Sequence, residues 1–258
     1  MPVPALIGRR LAVVLGLVLS LSLAACSSPA TSPSAGASPS PEPTEAPTAT
    51  TGTASGPDLG SASTALANLS SYRFAIAMTG FGIAGLSADT PFTMDGTVVL
   101  KPGRALSFKM VGLSGDTAIS YIVIGTDSWM DLGSGTYIQV PSDQANAESL
   151  FESFQPENLF GSGLASVAGG WESMGSEQKN GVATTHYHVD KDSPGGAEIV
   201  AAYGDTGAFD AWLADDGGYL VGVHFTGVQA GKTTPFEISF EISGIDDPAN
   251  VITPPPAF

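Results

Sequence analysis

The chain has 258 residues, with nine Lys and Arg against 25 Asp and Glu and a formal net charge of −16. At roughly 100–200 residues per domain, this length allows one or two domains. The acidic composition excludes a nucleic-acid partner, because phosphate binding needs clustered Lys and Arg. The single cysteine excludes an intramolecular disulfide and any multi-cysteine zinc or iron–sulfur site.

Residues 1–25 have the features of an export signal. Arg9 and Arg10 precede an apolar run at residues 11–23, which is shorter than the roughly 20 residues of a bilayer span but suits a signal peptide. The run ends in the letters LAAC, which match the bacterial lipobox, and the cysteine is Cys26. The sequence therefore predicts cleavage before Cys26, lipidation of its thiol and attachment to the extracytoplasmic face of the cell membrane. The alternative is an ordinary secretory signal with a chance cysteine.

Residues 26–57 are predicted to form a disordered linker. After the cysteine, Glu42 and Glu45 are the only residues that are not Ser, Pro, Thr, Ala or Gly. Such a segment buries too little apolar surface to offset its ordering entropy. We expect a tether that reaches between roughly 30 Å as a flexible coil and about 95 Å as extended polyproline II.

Residues 58–258 are predicted to form one domain that opens with a short helix at residues 61–69. Strands follow, because apolar and polar side chains alternate with the period of a half-buried strand. In this first half the predicted strands are residues 72–78, 92–101, 106–110, 119–124 and 137–140.

The middle of the domain changes to a helical period. Ser142 or Asp143 can cap a helix that continues to Phe154, and Pro156 suits the first turn of a second helix. Strands then resume at Trp171, and a weak helix is predicted at residues 197–203, between two of these later strands. The last predicted strands are residues 184–189, 209–214, 219–225 and 236–242, with turn signals at residues 180–181 and 215–218.

Strands, a helical insertion and further hairpins predict an α+β fold in which an antiparallel sheet carries helices on one face. Apolar side chains on those elements are candidates for the lining of a cavity, although the same side chains can equally form a solid core. The candidate lining residues are Leu106, Phe108, Met110, Ile122, Ile124, Leu150, Phe151, Phe154, Leu159, Phe160, Val221 and Val223.

Four short motifs follow one another along the domain. They are NLSSYRF at residues 68–74, NGVATTHY at 180–187, WLADDGGYLV at 212–221 and a closing segment at 236–254. Their succession after a lipobox and spacer resembles the actinobacterial lipoprotein family of LppX, LprA, LprF and LprG, within the LolA/LolB-like class. The resemblance implies a strongly bent antiparallel sheet, a half-barrel, whose concave face is covered by helices and holds acyl chains. The Gly-rich, weakly helical stretch at residues 197–208 departs from the firmer segment that such proteins often have.

The sequence motifs that resemble catalytic or cofactor sites lack the neighbouring residues or elements that such sites need. Residues 80–85 match G-x-G-x-x-G, but a dinucleotide site needs a helix directly after it, and here an alternating strand follows. Asp190 and Asp192 resemble the start of a calcium loop, but Pro194 offers no side-chain ligand at the fifth position of such a loop. Its twelfth position is Ala201 where calcium binding needs Glu, so a hairpin is expected here instead. No G-x-S-x-G nucleophile motif is present in the sequence.

Two histidines, His186 and His188, are expected to point to the same side of a strand. Together they can hold a transition metal, but the sequence places no cysteine or carboxylate firmly beside them, so a structural role is favoured. Trp129 and Trp212 can stack on sugars, although packing at strand ends is commoner for such residues. We therefore predict no catalytic residue, no metal site and no cofactor.

These patterns predict a membrane-anchored envelope lipoprotein that is not an enzyme. Its partners would be the membrane, through Cys26, and a lipid or lipoglycan ligand in an apolar cavity, with transfer of that ligand as an extension of binding. A transporter partner is not identified by the sequence. The alternative is an interaction or sensing module on the same scaffold with a filled core.

Overall fold

A computed structural model of the protein describes residues 56–80, 90–141, 170–228 and 232–256. In these residues the chain forms two short helices and ten strands. The helices are α1 (Leu59–Leu66) and α2 (Gly196–Tyr203). The strands are β1 (Ser71–Thr79), β2 (Phe92–Val99), β3 (Ala105–Ile124), β4 (Asp127–Asp131), β5 (Ile138–Val140), β6 (Glu172–Lys179), β7 (Val182–Asp190), β8 (Ala208–Ala214), β9 (Leu220–Val228) and β10 (Pro235–Ser243).

All ten strands belong to one open antiparallel sheet, which confirms the predicted sheet. Their order across the sheet is β5-β4-β3-β2-β1-β10-β9-β8-β7-β6. The sheet is thus two five-stranded meanders, β1–β5 and β6–β10, and each pairs neighbouring strands in sequence order. They join in the centre, where the first strand pairs with the last.

The joint between β1 and β10 is closed by side chains from the segment after β10. The Asp246 carboxylate accepts from the backbone N–H groups of Ser70 at 2.6 Å and Ser71 at 3.0 Å. The buried Asn250 amide donates to Ser71 Oγ at 3.0 Å and to the carbonyl of Gly244 at 2.5 Å. These bonds satisfy backbone and side-chain groups at the strand end, where the ladder itself has stopped.

The predicted turn at residues 180–181 is confirmed as the two-residue connection between β6 and β7. Asn180 and Gly181 have φ angles of 52° and 82°. A turn with two positive φ angles matches the twist of the flanking strands, and Asn-Gly is the pair that adopts it most readily. The predicted turn at residues 215–218 likewise connects β8 to β9.

Side chains alternate between two faces of the sheet. We call the apolar face the one that carries the buried cluster, and the polar face the opposite one. On β1, for example, Tyr72, Phe74 and Met78 are buried, while Arg73 and Ala75 on the polar face are exposed. The buried strand residues of the apolar face are Tyr72, Phe74, Met78, Phe92, Met94, Val98, Leu106, Phe108, Met110, Ile119, Tyr121, Val123, Val189, Phe209, Ala211, Leu220, Val223, Phe240 and Ile242.

Strand β3 exchanges its faces midway. Its first part pairs with β2 and its last part with β4, and between them Gly112 and Gly115 have φ angles of 106° and 64°. Positive φ interrupts the pleat. Buried cluster residues therefore have even numbers before this point, as at Phe108, and odd numbers after it, as at Tyr121. The sequence pattern did not predict this exchange, nor strand β4.

Both helices contribute to the buried cluster. Helix α1 begins after Asp58, whose carboxylate caps it by accepting from the Ser61 N–H at 3.0 Å, so the helix starts earlier than predicted. Its Leu66 and Ile199 of α2 are almost fully buried in the cluster. The predicted weak helix at residues 197–203 is confirmed by α2. The two helices predicted for the middle of the domain lie outside the described residues.

Candidate functional site

The apolar face extends across both meanders and is rich in aromatic and methionine side chains. Phe92, Met94 and Met110 lie on β2 and β3, while Phe209 and Phe240 lie on β8 and β10. Aromatic side chains carry large apolar surfaces, and methionine adapts its shape to irregular partners. A face with this composition can pack against acyl chains as well as against protein.

Of the candidate lining residues, four lie together on this face: Leu106, Phe108, Met110 and Val223. Val221 is also fully buried, but it is the unpaired residue of a bulge between β8 and β9 and is not part of the cluster. Leu150, Phe151, Phe154, Leu159 and Phe160 lie outside the described residues.

Ile122 and Ile124 do not join the others. Ile122 pairs across the strands with Trp129, and it alternates with the clustered residues Tyr121 and Val123. Successive strand residues point to opposite faces, so Ile122 and Ile124 lie on the polar face. The exchange at residues 112–115 is the physical reason that these two candidate lining residues face away from Leu106, Phe108 and Met110.

Close aromatic contacts fill parts of the apolar face. The rings of Phe108 and Tyr121 stack with centroids 5.6 Å apart and an interplanar angle of 10°. Burial raises the pKa of Tyr121, although a hydrogen bond with the Ser128 hydroxyl partly opposes that effect. A tyrosine held in this way stays neutral at physiological pH and acts as an apolar surface.

A second aromatic group lies at the other side of the joint. Phe225 contacts Phe209 at 5.0 Å, Phe236 at 4.9 Å and the edge of Tyr203 from α2 at 4.5 Å, between ring centroids. Burial also raises the pKa of Tyr203. This group fastens α2 onto the apolar face.

The polar face carries two open depressions. One, of about 700 Å³, lies over β1–β3 and is lined by Arg73, Asp95 and Lys109 together with small polar side chains. The other, of about 530 Å³, lies beside the β2–β3 turn and includes Lys101, Arg104 and Ile124. Both are wide open to solvent, and neither is the enclosed apolar cavity that the sequence resemblance implies.

Trp212 on the polar face is enclosed by protein groups. The His186 ring stacks on it with centroids 4.6 Å apart, and Lys179 Nζ lies 4.2 Å from its ring centroid. Its indole N–H donates to the Glu177 carboxylate. These protein contacts favour the packing interpretation of this residue.

The chain has three histidines, and all three converge on one carboxylate of the polar face. Asp210 Oδ1 lies 2.9 Å from His186 Nε2 and 2.7 Å from His188 Nδ1, and Asp210 Oδ2 lies 3.9 Å from His224 Nδ1. We call these four residues the histidine cluster. The sequence placed His186 and His188 on one side of a strand, and their register against β8 confirms it, because they pair with Trp212 and Asp210.

Sequence reasoning missed the central residue of this cluster. Asp210 and Trp212 alternate with the apolar residues Phe209 and Ala211, so a polar-face position could be assigned to Asp210 from the pattern alone. What the pattern lacks is the strand register, which sets Asp210 beside both His188 and His224.

The described ranges hold no group of three or more His, Cys, Asp or Glu arranged to bind a metal ion. The Asp190 carboxylate accepts instead from the backbone N–H groups of Asp192 at 2.9 Å and Ser193 at 3.1 Å. The Asp192 hydrogen bond is the main reason that the pKa of Asp190 is lowered. This segment is therefore a turn that leads from β7 into α2, in place of the predicted hairpin.

The described elements also bear on the dinucleotide motif and on membrane-spanning helices. After Gly80, the next described element is strand β2, whereas a dinucleotide site would need a helix there. Within the part of the chain that the structure covers, no helix has the length and apolarity required to cross a membrane.

The chain is similar to several solved structures at low sequence identity. No protein-family model matches the chain, and no curated protein matches it. Among solved structures, the Mycobacterium tuberculosis lipoprotein LppX is similar at 16% identity and a TM-score of 0.43, over 73% of this chain and 92% of that one.

Two other solved structures are similar over comparable lengths. A LolA superfamily protein from Nitrosomonas europaea has 10% identity and a TM-score of 0.22, over 68% of this chain and 84% of that one. An outer membrane lipoprotein-sorting domain from Vibrio parahaemolyticus, described as putative, has 9% identity and a TM-score of 0.20, over 67% and 82%. These are the groups that the sequence motifs resemble.

Proposed function

We propose that this protein is a lipid-anchored protein of the cell envelope that binds the acyl chains of a lipid or lipoglycan against the apolar face of its sheet. The observation that carries the proposal is the apolar face, whose buried cluster has Phe side chains from both meanders and Met side chains from β1, β2 and β3. Covering such a face is favourable by about 25 cal/mol per Å² of apolar surface removed from water. Binding of this kind needs no catalytic group and no cofactor.

The anchor and tether set where the binding would occur. Lipidation at Cys26 attaches one end of the chain to the outer side of the cell membrane, and residues 26–57 hold the domain of residues 58–258 away from it. One acyl chain anchors only marginally, whereas two or more on one cysteine hold a protein stably. Replacement of the thiol in Cys26→Ser is expected to release the full chain from the membrane fraction, measured by fractionation of its host.

The width of the sheet and the lengths of the two helices support a further layer of apolar groups over the apolar face. Ten strands spaced about 4.8 Å apart make a sheet roughly 43 Å wide, and each eight-residue helix is only about 12 Å long. Helices α1 and α2 therefore cover only part of this buried face by themselves. We assign the rest of its cover to the ligand and to Leu150, Phe151, Phe154, Leu159 and Phe160, in a bent half-barrel whose apolar face is concave.

Two neighbouring residues on opposite faces of the sheet provide a direct test of acyl-chain binding to the apolar face. Met110 lies on the apolar face and Lys109 on the polar face of the same strand. We expect Met110→Trp to weaken binding of a long-chain fluorescent fatty acid about tenfold or more, because the indole occupies ligand space, and Lys109→Trp to leave it unchanged. Equal binding by both variants would contradict the proposal. Because Met110→Trp can unfold the domain, circular dichroism of each variant accompanies the titration.

The ligand itself is sought by native mass spectrometry of the full chain, purified from its own host. A bound mass that dissociates on activation and contains acyl chains is expected. Protein that is consistently free of ligand, in mild detergent and in its absence, would overturn the proposal.

One contact favours the alternative of an interaction module with a filled core. Phe108 and Tyr121 stack on each other directly, so no acyl chain lies between these two rings. If the fatty acid fails to bind while the domain remains folded, this alternative becomes the better description.

A further inference from the structure

Each imidazole of the histidine cluster faces a carboxylate at both ring nitrogens. His186 Nε2 lies 2.9 Å from Asp210, and its Nδ1 lies 3.5 Å from Glu177 Oε1. His188 Nδ1 lies 2.7 Å from Asp210, and its Nε2 lies 3.5 Å from Asp190 Oδ2. A neutral imidazole has one donor and one lone pair, so only the protonated ring can donate to both carboxylates.

His224 repeats the arrangement on the next strand. Its Nε2 lies 3.0 Å from Glu237 Oε1, and its Nδ1 lies 3.9 Å from Asp210 Oδ2. The resulting series Glu177, His186, Asp210, His224, Glu237 has one residue from each of the strands β6, β7, β8, β9 and β10 in turn. It thus crosses the whole second meander on its polar face, where alternating carboxylates and imidazoles adjoin.

We propose that the histidine cluster is a proton-dependent brace, in which protonation of the imidazoles at mildly acidic pH ties strands β6–β10 together. A neutral ring directs one lone pair at a carboxylate, which is repulsive, and a protonated ring replaces this contact with a charge-assisted hydrogen bond. The chain carries 25 acidic against nine basic residues, so added positive charge here also relieves the repulsion among its carboxylates.

Of the other charged groups around the brace, the carboxylate also favours a positive imidazole, and the lysines are paired with carboxylates. On β6, Glu172 lies opposite His188 in the strand register, and Lys179 is bound to Glu241 of β10 at 2.7 Å. After β7, Lys191 pairs with Asp192 at 2.6 Å. On β8, the Trp212 ring stacks on His186 with ring centroids 4.6 Å apart.

The titration of His188 agrees with the geometry. Partial burial by itself lowers the pKa of this imidazole, but the hydrogen bonds and charges of Asp210 and Asp190 outweigh it and raise the pKa. A group with a raised pKa in the folded state binds protons more tightly there than in the unfolded chain. Its contribution is therefore complete below the unfolded value of about 6.5 and is lost as the pH rises through the folded value.

The experiment is urea unfolding of the full chain between about pH 8 and about pH 5.5, the range in which histidine changes its charge. We expect the unfolding equilibrium constant of the wild type to fall severalfold on acidification, since a proton that the folded state binds more tightly stabilises that state. Asp210→Asn is expected to remove most of this dependence. Asp95→Asn, which makes the same charge change on the polar face of β2, is expected to retain it.

A second measurement keeps the proposal testable if Asp210→Asn does not fold. Imidazole titration by NMR in the wild-type chain is expected to give at least one midpoint above about 6.5. Midpoints at or below that value would overturn the brace, as would equal pH dependence in the wild type and a folded Asp210→Asn. Stoichiometric stabilisation by Zn²⁺ at neutral pH that exceeds the effect of acid would overturn it in favour of a metal site.

Discussion

The apolar and polar faces share the same ten strands, yet different interactions hold them. On the apolar face, stabilisation is spread over many buried side chains, each contributing about 1.5–3 kcal/mol by leaving water. On the polar face it is local and depends on named partners, such as Asp210 with its histidines and Lys179 with Trp212 and Glu241. The face of the sheet on which a residue lies therefore decides which kind of interaction a substitution removes.

The largest contrast is expected between two adjacent residues of β3. Phe108 is only 3% exposed and stacks on Tyr121, so Phe108→Ala should cost about 3–5 kcal/mol through lost burial and the cavity left behind. Lys109→Ala, on the opposite face, should stay within about 0.5 kcal/mol. Urea unfolding of the two variants measures the difference, and similar losses for both would break the distinction between the faces.

An intermediate effect is expected where a polar side chain is itself buried. Asn250 donates to Ser71 and Gly244 and accepts from Arg73 Nε at 3.0 Å. Asn250→Ala removes these three hydrogen bonds from a buried position and should cost about 1–3 kcal/mol in urea unfolding. The exposed Asn68 serves as the control, and a loss for Asn68→Ala of equal size would show that burial of Asn250 is not the cause.

The smallest effect is expected on the open polar face. Lys179→Ala removes the contact with the Trp212 ring and the ion pair with Glu241, and should cost about 1 kcal/mol or less. Lys191 also makes an ion pair but has no ring contact described, so Lys191→Ala should cost less still. Thermal unfolding of both variants resolves the order, and an unchanged midpoint for Lys179→Ala would remove this residue from the network.

Local patterns in the sequence predict much of this fold. The Asn180-Gly181 turn, the short helices and most strands follow from alternation, caps and turn residues, because these signals act within a few positions. Strand β4 and the length of β3 were missed. Gly112 and Gly115 exchange the faces of β3 through their positive φ angles, which composition alone does not reveal.

The candidate site is predicted less completely, because it depends on register. Leu106, Phe108 and Met110 share a face as expected, since they alternate within one regular stretch. Ile122 lies beyond the exchange and points the other way. The histidine cluster needs three strands in a particular alignment, and no local pattern in the sequence specifies how β7, β8 and β9 are set against each other.

The central pairing of β1 with β10 has a consequence for the order in which the chain folds. Each meander can form from neighbours in sequence, but the bonds that join them connect positions as distant as Ser70 and Asp246, 176 residues apart. Contacts so far apart in sequence form slowly, because a long loop must close first. A chain that has been synthesised only as far as β9 therefore exposes β1 as an unpaired strand edge, and the last strand to be made is the one that protects it from aggregation.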